Sequence, residues 1–137
     1  MKSMPTTPGY TFYEASDRAK RPRVFELANG DVRFSLRSPE TGTIPPGGLG
    51  WVNTHIRLEY PKELPKLVFS RPEWMPDHVL VNGQIDPDGI VLACIVNQSD
   101  TDPLVIGRGA WVLVGLVKRS PEPVSWWERF LDWLGLN

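Results

Sequence analysis

Between His78 and Lys118 the chain runs through three stretches without a single charge: Val79-Leu-Val-Asn-Gly-Gln-Ile85, Ile90-Val-Leu-Ala-Cys-Ile-Val96 and Ala110-Trp-Val-Leu-Val-Gly-Leu-Val117. Short runs rich in Val, Ile and Leu, closed by Asp-Pro-Asp-Gly or by a polar turn such as residues 98–103, have the pattern of β-strands joined by tight turns. The second and third runs are apolar at nearly every position, which predicts strands covered on both faces. The segment is expected to form the core of the molecule.

Such a core fits the rest of the composition. A chain of 137 residues, 41% of them hydrophobic, has room for one domain with a buried interior. Its 14 prolines and 12 glycines interrupt any long helix and favour an all-β sandwich or barrel. The net charge of -1 gives no overall pull toward nucleic acid or an anionic membrane, and neither is an expected partner. The lone cysteine, Cys94, falls inside an apolar run, where it reads as a small buried hydrophobe. No stretch has the ~20 apolar residues of a membrane span, and no N-terminal run suits a signal peptide, so a soluble protein made in the cytoplasm is expected.

Residues 1–22 mix prolines, small polar residues, the aromatics Tyr10, Phe12 and Tyr13, and most of a basic run that continues to Arg23. No strand or helix period persists, which predicts an extended N-terminal arm whose aromatics are candidate partner contacts. Runs at 24–28 and 32–37 flank Asn29-Gly30, a two-residue hairpin signal in which both turn residues tolerate positive φ. After a loop centred on Pro45-Pro46-Gly47-Gly48, Val52, Thr54, Ile56, Leu58 and Tyr60 alternate with Trp51, Asn53, His55, Arg57 and Glu59. That period of two predicts a strand with one buried and one polar face. His55 and His78 have no further ligand at a suitable spacing, so no metal site is expected. A short strand at 66–70 precedes Arg71-Pro-Glu-Trp-Met-Pro76, where Trp74 and Met75 either plug the end of a barrel or reach a partner.

The chain then leaves the expected barrel, 23–118, through a proline-rich linker at 119–124. Residues 125–137 differ in kind. Ser125-Trp-Trp-Glu128 has the form of a capping box. Trp126, Trp127, Phe130, Leu131, Trp133 and Leu134 share one broad helical stripe opposite Glu128, Arg129 and Asp132. A short amphipathic helix carrying so much aromatic surface must dock, so these six residues are candidate partner-docking residues.

From Gly30 to Val117 the order of motifs resembles the trimeric dUTPase family. The matching segments are Phe34-Ser35-Leu36, Thr43-Ile-Pro-Pro-Gly47, Ile56-Arg-Leu-Glu-Tyr-Pro61, Phe69-Ser-Arg-Pro72, Gly83-Gln-Ile-Asp-Pro-Asp-Gly89 and Val105-Ile-Gly-Arg-Gly-Ala-Trp-Val-Leu-Val-Gly-Leu116. The resemblance covers about two thirds of the chain. It implies the family's distorted jelly-roll β-barrel, assembled as a homotrimer with active sites between subunits.

The same resemblance implies a loss of chemistry. Cleavage at a nucleotide's α-phosphate needs a carboxylate to orient water, acidic residues behind a metal ion, and donors around the phosphates. Asp86 matches the family's water-activating Asp. Elsewhere the pattern departs: the metal-supporting Asp is Ser35, the phosphate-binding Ser after Arg71 is Pro72, and Asp88 runs into Gly89 and Ile90 where the family has Tyr-Arg. The Asp and Gln of the Arg-Gly-Asp motif are Ala110 and apolar residues near Val114. The glycine-rich C-terminal arm is replaced by the linker and the Trp-rich segment.

Asp-Pro-Asp-Gly is also a common turn composition, which gives Asp86 a structural role and leaves no catalytic residue expected. The resulting expectation is a pseudoenzyme without cofactor: a homotrimer serving as a structural or interaction protein. Its most concrete form is a phage or other viral virion component, such as a capsid decoration or cement protein, holding capsid subunits through its termini. The alternatives are a divergent dUTP/dNTP pyrophosphatase or a regulatory module that binds nucleotide without hydrolysis.

Overall fold

The computed structural model describes residues 3–7, 10–59 and 67–118. They form eleven strands: β1 (Ser3–Thr7), β2 (Tyr10–Glu14), β3 (Arg23–Glu26), β4 (Val32–Arg37), β5 (Gly42–Ile44), β6 (Leu49–Glu59), β7 (Leu67–Ser70), β8 (Val79–Ile85), β9 (Ile90–Asn97), β10 (Leu104–Ile106) and β11 (Trp111–Val117). One sheet has the order β1-β2-β6-β9-β8 and a second β3-β4-β11-β7, while β10 and β5 make a two-stranded ribbon. All pairings are antiparallel. The described residues contain no helix long and apolar enough to cross a membrane. The expected linker at 119–124 and helix at 125–137 lie outside the described residues, as do the six candidate docking side chains.

The two large sheets close over a single core. Phe12 of β2 meets Phe34 of β4 edge to face with centroids 5.0 Å apart, and Phe34 meets Phe69 of β7 at 6.3 Å. Around them pack Leu36, Ile56, Val91, Ile95 and Leu113, all fully buried. Glycine lets this centre close: a Cβ on Gly115 would lie 2.1 Å from the Phe34 ring, and one on Gly83 2.3 Å from the Phe69 ring. Ile44, Leu104 and Ile106 of the small ribbon seal one end of the core.

Several expectations meet corrections here. The N-terminal segment is not an arm outside a barrel that begins at residue 23. β2 pairs with β6 from Thr11↔Glu59 to Glu14↔Ile56, and Tyr10 (3% exposed) and Phe12 (1%) belong to the core. These two aromatics are therefore closed to a partner. Tyr13 faces away from the core, half-buried beside the Arg57 guanidinium.

β9 is likewise two-sided rather than covered on both faces. Val91, Ala93 and Ile95 are buried, whereas Ile90, Leu92, Cys94 and Val96 are only half-buried. Cys94 thus points away from the core. β11 approaches burial on both faces.

The Asn29-Gly30 turn also differs. Gly30 alone adopts positive φ (89°), and the bonds Gly30 N to Leu27 O and Leu27 N to Asp31 O enclose a three-residue loop. Asn29 contributes through its side chain instead, Oδ1 accepting from Asp31 N at 3.0 Å.

The alternation expected along β6 holds, with Thr54, Ile56 and Leu58 buried. What alternation did not reveal is a bulge between Asn53 and Arg57, where His55 takes φ 57°. Histidine tolerates this left-handed region better than most residues. Asn53 Oδ1 accepts the His55 amide at 2.8 Å, and the buried Thr54 hydroxyl donates to Val91 O at 2.7 Å.

Candidate functional site

Asp86 sits at the tip of the β8–β9 hairpin. Its backbone closes the turn, Asp86 N donating to Ile90 O and Gly89 N to Asp86 O, both at 2.9 Å. Its side chain does the same work: Oδ1 accepts from Asp88 N and from Ile90 N, each at 2.9 Å. Pro87 presets the second turn position and Gly89 supplies the positive φ (87°) that ends it. Gly89 O then accepts from Leu58 N, tying the hairpin to β6. The one residue that matches a catalytic group is thus bonded as a turn residue.

Three other motif positions converge elsewhere, on the outer side of the four-stranded sheet. Ser35 of β4 lies between Arg23 of β3 and Val114 of β11. Together with Pro72, these residues line a groove of about 380 Å³ whose other walls are Phe25, Arg33, Glu73, Trp74 and Trp111. Asp86 is not among its lining residues.

Where the resemblance implies carboxylates behind a metal ion, this groove offers a neutral hydroxyl beside arginines with Glu73 as its single carboxylate, a poor donor set for a divalent cation. Among the described residues no group of three or more His, Cys, Asp or Glu is placed to hold a metal ion. Arg71, the motif arginine, turns back on its own loop. Its Nη1 donates to Pro76 O (2.8 Å) and Val79 O (3.2 Å), and its Nη2 pairs with Asp77 at 3.1 Å. That clamp fixes residues 71–79 against the start of β8.

Trp74 and Met75 differ in burial. Met75 is buried and plugs the core. Trp74 remains 44% exposed beside the groove, its indole N–H donating to Trp111 O at 2.6 Å. A second groove, about 360 Å³, runs past Glu40, Thr41, Trp51, Asn53 and His55. There His55 Nδ1 is 2.9 Å from the Ser16 hydroxyl.

Two features escaped the sequence reading. Asn97, fully buried, donates through Nδ2 to Ile44 O (3.2 Å) and Asp102 O (2.8 Å) and accepts from Ser99 N (3.1 Å), joining the proline-rich loop to the 98–103 turn. The arginines of the first groove carried a legible signal, the period of two in Arg33, Ser35 and Arg37.

No protein-family model matches the chain. No curated protein is similar to it in sequence. Among solved structures, a mutant dUTPase from phage phi11 of S. aureus, described as coordinating a structural Mg(II) ion, superposes with a TM-score of 0.63 at 14% identity, over 82% of this chain and 93% of that one. The arrangement of two sheets over one core is therefore a known architecture. The chain has the dUTPase-like fold.

Proposed function

We propose that this protein is a non-catalytic homotrimer of the dUTPase-like fold that acts as a structural or interaction protein, most concretely a virion component such as a phage capsid decoration or cement protein. The observation that carries this reading is the bonding of Asp86, whose Oδ1 is shared by the amides of Asp88 and Ile90. A water-orienting base keeps its acceptor oxygen for the reacting centre, whereas Oδ1 of Asp86 is given to two amides of its own turn. The arginine-lined groove beside Ser35 supports the same reading, since Glu73 is the single carboxylate on its walls and Arg23 and Arg33 stand beside it, a poor setting for a metal ion. The phage origin of the superposable dUTPase supports a viral setting by analogy of fold.

In this reading the barrel supplies symmetry and the Trp-rich segment at 125–137 supplies attachment. Light scattering on the full-length chain and on a version ending at Ser120 tests it. Both are expected to have the mass of three chains, with attachment to the partner lost in the shorter one. A monomeric mass for both removes the trimer. A second reading, a divergent dNTP pyrophosphatase, draws its support from the enzymatic activity of the superposable protein.

A further inference from the structure

We propose that the outer face of the four-stranded sheet binds single-stranded nucleic acid. Opposed residues of antiparallel neighbours share a face, so the register places Phe25, Arg33, Leu116 and Val68 in one row and Arg23, Ser35, Val114 and Ser70 in the next. Arg37 and Trp111 lie opposite each other beyond them. This face carries three arginines and no strand carboxylate; Glu73, from the adjoining loop, is the acidic residue of the groove. A net charge of -1 averages over this segregation and hides it.

Among the described residues no ion pair occupies these arginines: those present involve Arg18, Arg57 and Arg71, not Arg23, Arg33 or Arg37. Two of the three are braced by aromatic rings instead: Arg23 lies 4.8 Å from the Phe25 centroid and Arg37 4.2 Å from that of Trp111. A guanidinium stacked on a ring keeps its N–H edge available for the bidentate contact that suits phosphate. The aromatic surfaces of Phe25 and Trp74, each 44% exposed, stand beside these cations. Trp74 is held in place by its bond to Trp111 O.

Alternating guanidinium and ring on an exposed sheet fits a strand that offers alternating phosphate and unpaired base. A duplex keeps its base faces stacked inside and presents nothing to the rings. An acidic peptide matches the charge alone. The proposal goes beyond the trimer reading, and its failure leaves the light-scattering result untouched.

Fluorescence anisotropy of a labelled 15-residue oligo(dT), titrated with the full-length protein from 25 to 200 mM KCl, tests it. The expected result is binding whose log affinity falls with log salt at a slope of about -2, three phosphate contacts at ~0.7 each. Arg33→Ala and Arg37→Ala should each flatten that slope by ~0.7. Trp74→Ala should weaken binding and leave the slope unchanged, and Arg33→Lys should restore it. No binding at 25 mM KCl overturns the proposal. So does equal affinity for a labelled blunt-ended duplex of the same length, or displacement by poly-glutamate as effective as by unlabelled oligo(dT). A change of oligomeric mass in the arginine variants also overturns it, by assigning the face to a subunit interface.

Discussion

The amide of Ile90 donates to Oδ1 of Asp86 at 2.9 Å, so the first residue of β9 is fixed by the carboxylate that ends β8. Because the amide of Asp88 shares that oxygen, removing the side chain orphans two donors at once. Asp86→Ala is expected to lower stability by about 1–2 kcal/mol. Asp86→Asn keeps the accepting oxygen and should stay within about 0.5 kcal/mol of the parent. Urea denaturation of the three proteins checks this, and an equal loss in both variants would count against the turn role.

Phe12 is buried against Phe34 at the centre of the molecule. Phe12→Ala should therefore cost about 3–5 kcal/mol, as for any large core ring. A loss below 1 kcal/mol in the same denaturation experiment would restore the N-terminal segment to the status of a detachable arm.

Gly115 leaves room for the Phe34 ring and for nothing more, since an added Cβ would stand 2.1 Å from it. Gly115→Ala should destabilise by about 1–3 kcal/mol through overpacking. Combining it with Phe34→Leu should give a double variant more stable than the sum of the single effects, because the smaller partner yields the space. Additive losses would show that the two sites do not share this contact.

Asn97 satisfies the carbonyls of Ile44 and Asp102 from a fully buried position. Asn97→Ala strands both acceptors and should cost about 2–3 kcal/mol. Asn97→Asp should cost more, because it turns a carboxylate oxygen toward those carbonyls. Thermal melts of the pair give the order directly.

How much of this was legible depended on whether the information was local. The alternation in β4 and β6 announced their buried faces because each strand carries its period within its own residues. Asp-Pro-Asp-Gly announced its turn for the same reason. β2 could not announce itself: only Tyr10 and Phe12 mark its inward face, and the strand that covers it, β6, lies some forty residues further on. Asn29-Gly30 suggests a two-residue turn because both residues accept positive φ. The Asn29 side chain, by capping Asp31, favours the longer loop.

The site was harder to read than the fold. Asp86 could be matched to a catalytic position by its neighbours in sequence, but its use of Oδ1 is a fact of three dimensions. The cationic face is assembled from strands at 23–26, 32–37 and 111–117, and whole-chain charge conceals it. Asn97 gave no signal, since a buried asparagine is recognised by the carbonyls around it and these come from distant loops.

The central claim is that the dUTPase-like scaffold persists here while its carboxylate serves structure instead of chemistry. Pyrophosphate release from dUTP and dCTP with magnesium, by the full-length protein and by Asp86→Asn, tests it most directly. The account predicts no release above the protein-free blank from either protein; turnover by the parent that disappears in Asp86→Asn would contradict it.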